Sequence, residues 1–297
     1  MPNTILTADE IATIGAKLVG ADLGLSNLFS RDVAADFGGG KGETIRVRVP
    51  GAVPSRERAA DDTTTPLAVD TISEQSISVE LSTLAYSNVA ISVADAELNL
   101  VDFAKQVLYP QTRSVTRKVE TEAAAALLAT PATTLAYTAA TPAKLFTQLR
   151  KTLRDRGVDA ESKIVAVVGS SVYADILDAP VGSGFDSNGT TVRGIEIHES
   201  SRVPADNVVA FVKEAFSLVV RAPEPPAGAP YAASVRAEGD SPFALTHIQA
   251  FDVATGSDRS IVEALVAVAP MPLAVDRENG VVELVPHGGA VRVDTAA

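Results

Sequence analysis

Cysteine and tryptophan are both absent from the 297 residues. The missing thiols exclude disulfides, thiolate nucleophiles and cysteine-ligated zinc together. Histidine is nearly absent too. His198, His247 and His287 are the only three, and their scatter leaves little to build a metal site from. Aromatic residues make up 5% of the chain while 46% is hydrophobic, so the core must be packed from Val, Leu, Ile and Ala. No run of about 18 apolar residues exists, and no membrane span is expected. The start, MPNTILTADE, has no basic region leading into an apolar run, so no signal peptide is expected. Positive charge is short as well. Net charge is -12, the reverse of what a sequence-independent nucleic-acid binder uses to neutralise phosphates. These absences predict a soluble protein made and kept in a cytoplasm, long enough for two domains or one elaborated domain.

What is present is organised around residues 95–129. Apolar residues recur there at Leu98, Val101, Ala104, Leu108, Val115, Val119, Ala123 and Leu127, a helical spacing. The acids Asp95, Glu97 and Asp102 come early and the cations Arg113, Arg117 and Lys118 late, which complements the helix dipole. Glu120 and Glu122 break that order. Pro110 cannot donate to the helical ladder, which predicts a kink or short break after Tyr109. At ~1.5 Å per residue the helix would run on the order of 50 Å, more than one compact domain needs. Such a helix serves as a backbone for separate pieces before and after it.

Residues 7–19 read as an amphipathic helix, with Thr7 and Glu10 at capping-box spacing and a stop at Gly20. Strict alternation marks strands at 44–49 (TIRVRV) and 77–81 (ISVEL). The polar stretch between them makes the whole a long two-stranded arm with a mobile tip. A lone ribbon is marginal and needs a surface to lie on, which its own chain need not supply. Residues 88–93 are a further strand candidate. Thr141 as N-cap and Pro142 at N1 open a helix with a Leu145, Phe146, Leu149, Leu153 stripe, ended by Arg154, Arg156 and Gly157. Residues 164–168 (IVAVV) read as a strand buried on both faces. Gly169-Ser170-Ser171 then turns into a short helix over 172–178. Residues 182–191 are a loop, and 195–197 mark a strand. VVAFV and FSLVV are two more, and 221–230 is extended Pro-rich chain. Residues 245–253 and 260–268 frame the turn TGSDR as a hairpin. The tail carries two short strand candidates, VVELV and AVRV.

Every stretch able to carry chemistry has a plainer reading. Gly38-Gly39-Gly40 has no helix behind it and no Lys-Ser or Lys-Thr pair, and reads as a flexible joint. Adjacent residues on an extended chain point apart, so Asp61-Asp62 reads as solvated loop, not a metal or acid pair. The strand, Gly-Ser-Ser, helix unit is the most enzyme-like feature. A helix N-terminus binds phosphate and a serine there can act as nucleophile. However, GxGxxG, GxxxxGK and GxSxG are all absent, and Ser170 or Ser171 as a plain N-cap accounts for the turn. The three histidines read as structural or solvent-facing, because no acid or second histidine is spaced to partner them. No catalytic, cofactor-binding or metal-ligating residue is assigned, and no cofactor is implied.

The order of parts resembles the tailed-bacteriophage major capsid protein with the HK97-like fold, and most its coat-protein branch. The resemblance rests on GGKGETIRVRVP (39–50), DFAKQVLYPQTRSVTRKVETEAAAALL (102–128), KIVAVVGSSVYADIL (163–177), FSLVVRAPEPPAGA (216–229) and THIQAFDVATGSDRSIVEALVAV (246–268). It covers roughly residues 1–270 and is organisational, with no catalytic signature. It implies an α+β fold with an N-terminal arm (1–40), an extended β-hairpin loop and lead-in strand (41–94) and a spine helix of a peripheral domain (95–140). An axial domain (141–243), a peripheral-domain β-hairpin (244–270) and a C-terminal tail (271–297) follow. The implied function is assembly, not catalysis. Copies would form pentamers and hexamers of an icosahedral head shell around double-stranded DNA, with scaffolding and portal proteins as partners and no membrane. The shell would be assembled in a host cytoplasm and located in the virion. Three other readings remain open: an encapsulin-like nanocompartment shell sharing the fold, an α/β enzyme using the Ser170-Ser171 turn, and a tail or decoration component lacking the long spine.

Overall fold

The computed structural model describes residues 8–34, 44–49, 53, 56–64, 66–72, 75–92, 103–179, 190–229, 231–239, 242–276 and 282–296. In chain order the elements are α1 (Ala8–Asp22), β1 (Ser30–Ala34), β2 (Thr44–Val49), β3 (Gln75–Glu80) and β4 (Thr83–Ile91). A π-helical turn (Ala104–Leu108) leads into α2 (Tyr109–Leu128), followed by α3 (Ala143–Asp155), β5 (Ile164–Val168) and α4 (Ser170–Asp178). Next are β6 (Thr191–Val192), β7 (Ile195–Glu199), β8 (Asn207–Val212), β9 (Phe216–Arg221) and β10 (Tyr231–Ala237). The last are β11 (Phe243–Asp252), β12 (Ser257–Pro270), β13 (Leu273–Asp276), β14 (Val282–Val285) and β15 (Ala290–Asp294).

The chain divides into two compact units, each built from three separate segments. The first comprises Met1–Glu43, Glu80–Leu127 and Phe216–Ala269. Its sheet runs β1-β9-β12-β11-β10, with β4 also paired to β12. Along β12, Ser260, Val262, Ala264 and Val266 are all buried, and the alternation turns them to one face. Helices α1 and α2 lie on that face. A Cβ built at Gly15 would sit 3.5 Å from Leu245, 3.6 Å from Leu108 and 3.6 Å from Thr112. Helix α1 runs on to Asp22, past the expected stop at Gly20. A helical glycine costs about 1 kcal/mol against alanine, and burial of Val19 and Leu23 outweighs it.

The spine is helical from Phe103 to Leu128. The expected break at Pro110 is instead a change of hydrogen-bond register. The π turn stands directly before the proline, whose ring would crowd the carbonyl four residues back. Residues 95–102 of the expected helix, the expected cap Thr7, Gly38–Gly40 and most of the 182–191 loop lie outside the described residues.

The second unit comprises Thr44–Val79, Leu128–Ala215 and Pro270–Ala297. Its sheet runs β15-β8-β5-β7-β6, with β5 parallel to β7 and antiparallel to β8. All five residues of β5 are buried, as a continuous apolar run predicts for a central strand. Thr141 does not cap α3 with its side chain: Pro142 takes the N-cap position in helical conformation, one residue later than expected. The other end agrees with the sequence. Gly157 has φ +101°, its N–H reaches Arg154, and Val158 N–H reaches Leu153.

One expected boundary differs from the structure. The resemblance implies a single axial segment over 141–243, yet β9 and β10 are strands of the first unit's sheet. Strand β9 pairs in parallel with β1 nearly two hundred residues earlier, a partnership that local pattern cannot announce. The tail, read as two short strand candidates, supplies a strand of the second unit's sheet. Val291 and Val293 of β15 are fully buried, and β15 pairs with β8 over five residues. Strand β14 pairs with β13 in a separate ribbon.

Candidate assembly elements

The enzyme-like turn is closed by its own chain. Gly169 is the N-cap of α4, and no side chain caps it, so neither Ser170 nor Ser171 takes the expected cap role. A Cβ at Gly169 would collide with the carbonyl oxygens of Pro204 and Ala205, which makes glycine necessary here by close approach. The Ala205 carbonyl accepts from Ser171 N–H at 3.1 Å and Val172 N–H at 3.5 Å. Gly169 N–H is taken by the Asn207 carbonyl at 2.9 Å. Ser171 and Val172 N–H, two of the donors that would cradle a phosphate, are therefore spent. Both serines are exposed, and neither hydroxyl meets a histidine or carboxylate among the described residues.

The histidines separate into three environments. His198 does have an acid partner, contrary to expectation. Glu196, two residues earlier on the same strand face, places Oε1 3.0 Å from its Nε2. Glu196 also pairs with Lys163, and that hydrogen bond, ahead of any other cause, holds its carboxyl below the usual value. His287 sits in a turn at φ +52°, where its carbonyl accepts from Arg156 and from Ala290 N–H. His247 is buried, 1% exposed, among the spine and the sheet. Among the described residues, no cluster of three or more His, Asp or Glu is placed to hold a metal.

The His247 network has only one consistent proton arrangement. Gln111 Nε2 donates to the carbonyls of Ser260 (2.7 Å) and Ser87 (3.3 Å), so its Oε1 accepts, and Ser260 Oγ donates to it at 2.9 Å. Ser260 Oγ has then no proton left for His247, so His247 Nε2–H donates to it across 3.2 Å. Nδ1 has no partner. A protonated ring would bury an N–H without an acceptor, and burial pushes the imidazole down from 6.5 to about 4. Because the folded value is depressed, this stabilisation is complete above about pH 6.5. It is lost as pH falls through about 4, and the span corresponds to roughly 3 kcal/mol. The denaturation midpoint should fall over that window, and a His247→Gln variant should show a flatter fall. Parallel curves for the two proteins would contradict this account.

The spine is tied to the preceding chain by a buried acid. Glu120, 6% exposed, accepts from the backbone N–H groups of Gly24 (3.1 Å), Leu25 (2.9 Å) and Ser26 (3.1 Å) and from Ser26 Oγ (2.6 Å). These donors open a 3₁₀ turn at Leu25–Leu28. In the second unit, Arg292 of β15 donates to the Leu128 carbonyl (2.6 Å) and to Asn207 Oδ1 (2.8 Å). Arg156 donates to the Ala290 carbonyl at 2.7 Å. Sequence reading missed Gln111, Glu120 and Arg292. The one available signal was Glu120 out of charge order on a helix with a dipole to satisfy.

The arm pairs β2 with β3 as a separate two-stranded ribbon. Between the strands, Leu67, Val69 and Ile72 are 74%, 97% and 67% exposed. The acids there are held locally. Asp62 Oδ1 accepts from Thr64 N–H (2.8 Å) and Oγ1 (2.9 Å), and Arg56 grips Asp70 with two bonds of 3.0 and 2.6 Å. Asp61 is exposed, so the Asp61-Asp62 pair forms a turn and not a paired-acid site.

No protein-family model matches the sequence, and no curated protein matches it. Solved structures do match in three dimensions. A structure of Mycobacterium phage Che8 superposes with TM-score 0.56 at 15% identity, covering 93% of this chain and 92% of that one. The mature capsid of bacteriophage PhiM1 gives 0.54 at 14% identity, covering 92% and 87%. A virus-like particle from Pyrococcus furiosus gives 0.52 at 10% identity, covering 96% and 98%. The chain has the HK97-like capsid fold.

Proposed function

We propose that the chain is a phage major capsid protein that self-assembles into an icosahedral head shell enclosing double-stranded DNA. The observation that carries this is the arm: a capsid-fold subunit that exposes Leu67, Val69 and Ile72 on a ribbon it does not cover itself. Large apolar side chains left in water are covered by a partner, and closed symmetry makes that partner another copy. On this reading the first unit is the peripheral domain, the second carries the axial domain, and shell subunits associate as pentamers and hexamers. Scaffolding and portal proteins are the further partners, and assembly takes place in the host cytoplasm before the protein resides in the virion.

Negative-stain electron microscopy of the protein, alone and with the products of its neighbouring genes, tests the reading. Closed shells are expected, and a strictly monomeric protein in both preparations overturns it. Deleting residues 55–66 at the arm tip should leave a folded subunit that no longer closes shells. Normal shells from that deletion would refute completion of the arm by a neighbour. The similarity to the Pyrococcus virus-like particle supports a second reading, a cargo-holding compartment. Shells that copurify with a protein cargo and exclude DNA would favour it. An enzyme at Ser170-Ser171 has no support, since the Ala205 carbonyl takes the Ser171 and Val172 N–H groups at the helix N-terminus.

A further inference from the structure

The outward side of the spine carries a run of positive charge on an otherwise acidic protein. Helix α2 buries Val115, Val119, Ala123 and Leu127, and turns Arg113, Ser114, Arg117, Lys118 and Thr121 to solvent. Glu120 is sequestered by Gly24–Ser26, and Glu122 pairs with Lys118. Arg113 and Arg117 stand one turn apart, where like charges destabilise an isolated helix.

Other arginines of the chain are held by partners, although Arg46 and Arg236 are also exposed. Arg154, Arg156 and Arg292 clamp backbone carbonyls, and Arg56, Arg221 and Arg259 grip carboxylates. Arg113 and Arg117 have neither kind of partner among the described residues. Beyond their favourable place late on the helix dipole, no described side chain in the folded subunit holds them.

We infer that Arg113 and Arg117, with Lys118, form a contact surface for the phosphate backbone of duplex DNA, on the spine side that faces away from the sheet. This rests on the shell reading and adds an orientation: the helix-bearing side of the first unit faces the contents. Guanidinium groups suit phosphates, and a helix face without base-reading geometry suits contact without sequence preference. The other anionic candidate is the acidic arm of a second copy. In the arm Asp70 is neutralised by Arg56 and Asp62 is used by Thr64, which leaves Glu57 and Asp61 exposed there, and shell formation in the test separates that partner from DNA. Two or three cations per subunit make each contact weak. A net charge of -12 keeps it so, and many copies in one shell sum it. Such a lining holds DNA in place without gripping any one point.

The test is fluorescence anisotropy of unassembled subunits with a short labelled DNA duplex at rising salt. Electron microscopy of the same preparations follows shell formation. The R113Q/R117Q variant should assemble as the parent does, while its slope of log K against log salt falls by about 1.8, at about 0.9 per lost phosphate contact. R113K/R117K should keep the parent slope. Equal slopes for parent and R113Q/R117Q, or no duplex binding by the parent at low salt, overturn the inference. If R113Q/R117Q binds duplex like the parent but forms no shells, the stripe is a contact between subunits instead. A parent that binds duplex yet never assembles would sink the shell reading and leave the DNA contact standing.

Discussion

Val115→Asp should abolish folding. Val115 is completely buried on the spine's inner face, with Leu108 (1% exposed) two turns earlier. The substitution removes an apolar side chain worth about 1.5–3 kcal/mol of burial. It also places a carboxylate at a fully buried position on an apolar face, and an unpaired buried charge costs more than the lost packing. Total stabilities of about 5–15 kcal/mol leave no room for both. Leu108→Asp should behave alike. Ser114→Asp, exposed on the same helix, should change stability by no more than about 0.5 kcal/mol. Circular dichroism and thermal melting of the soluble fraction decide the matter. Parent-like melting of Val115→Asp would mean the spine is not core.

Removal of residues 290–297 should be comparably severe, although the segment is the end of the chain. It deletes β15 and with it two fully buried valines, Val291 and Val293. The Arg292 bonds to Leu128 and Asn207 go too, so the C-terminal end of the spine and the start of β8 lose a shared clamp. Strand β8, buried along its whole length, then becomes an open apolar edge. Such edges pair with other chains, so the expected product is insoluble protein. A truncated protein that stays soluble and melts like the parent would show that β15 is dispensable. Arg292→Ala alone should cost less, since the valines stay in place.

How much of this was legible from residues alone varied with the range of the interaction. The period of the apolar residues placed α2, α3, β5 and the β11–β12 hairpin, because those patterns are set by which side of one element meets water. Gly157 at the end of α3 was legible for a similar reason: a left-handed residue belongs there. The Gly169 turn was legible as a turn only. What closes it is the carbonyls of Pro204 and Ala205, more than thirty residues on. His198 was misjudged because an acid two positions away meets a histidine only once the segment is known to be a strand.

The sequence by itself determined the main helices and the most regular strands, and that no thiol chemistry operates. It did so because burial periodicity and backbone propensity act within a few residues. The tertiary structure decided the rest. It chose β9 as the parallel partner of β1, moved β10 into the first sheet, and made β15 part of the second core. It also set Glu120 against three backbone donors from the chain before it and left His247 without a proton acceptor. Each of these depends on atoms brought together by chain closure over a hundred or so residues, where the sequence carries no local mark of its partner.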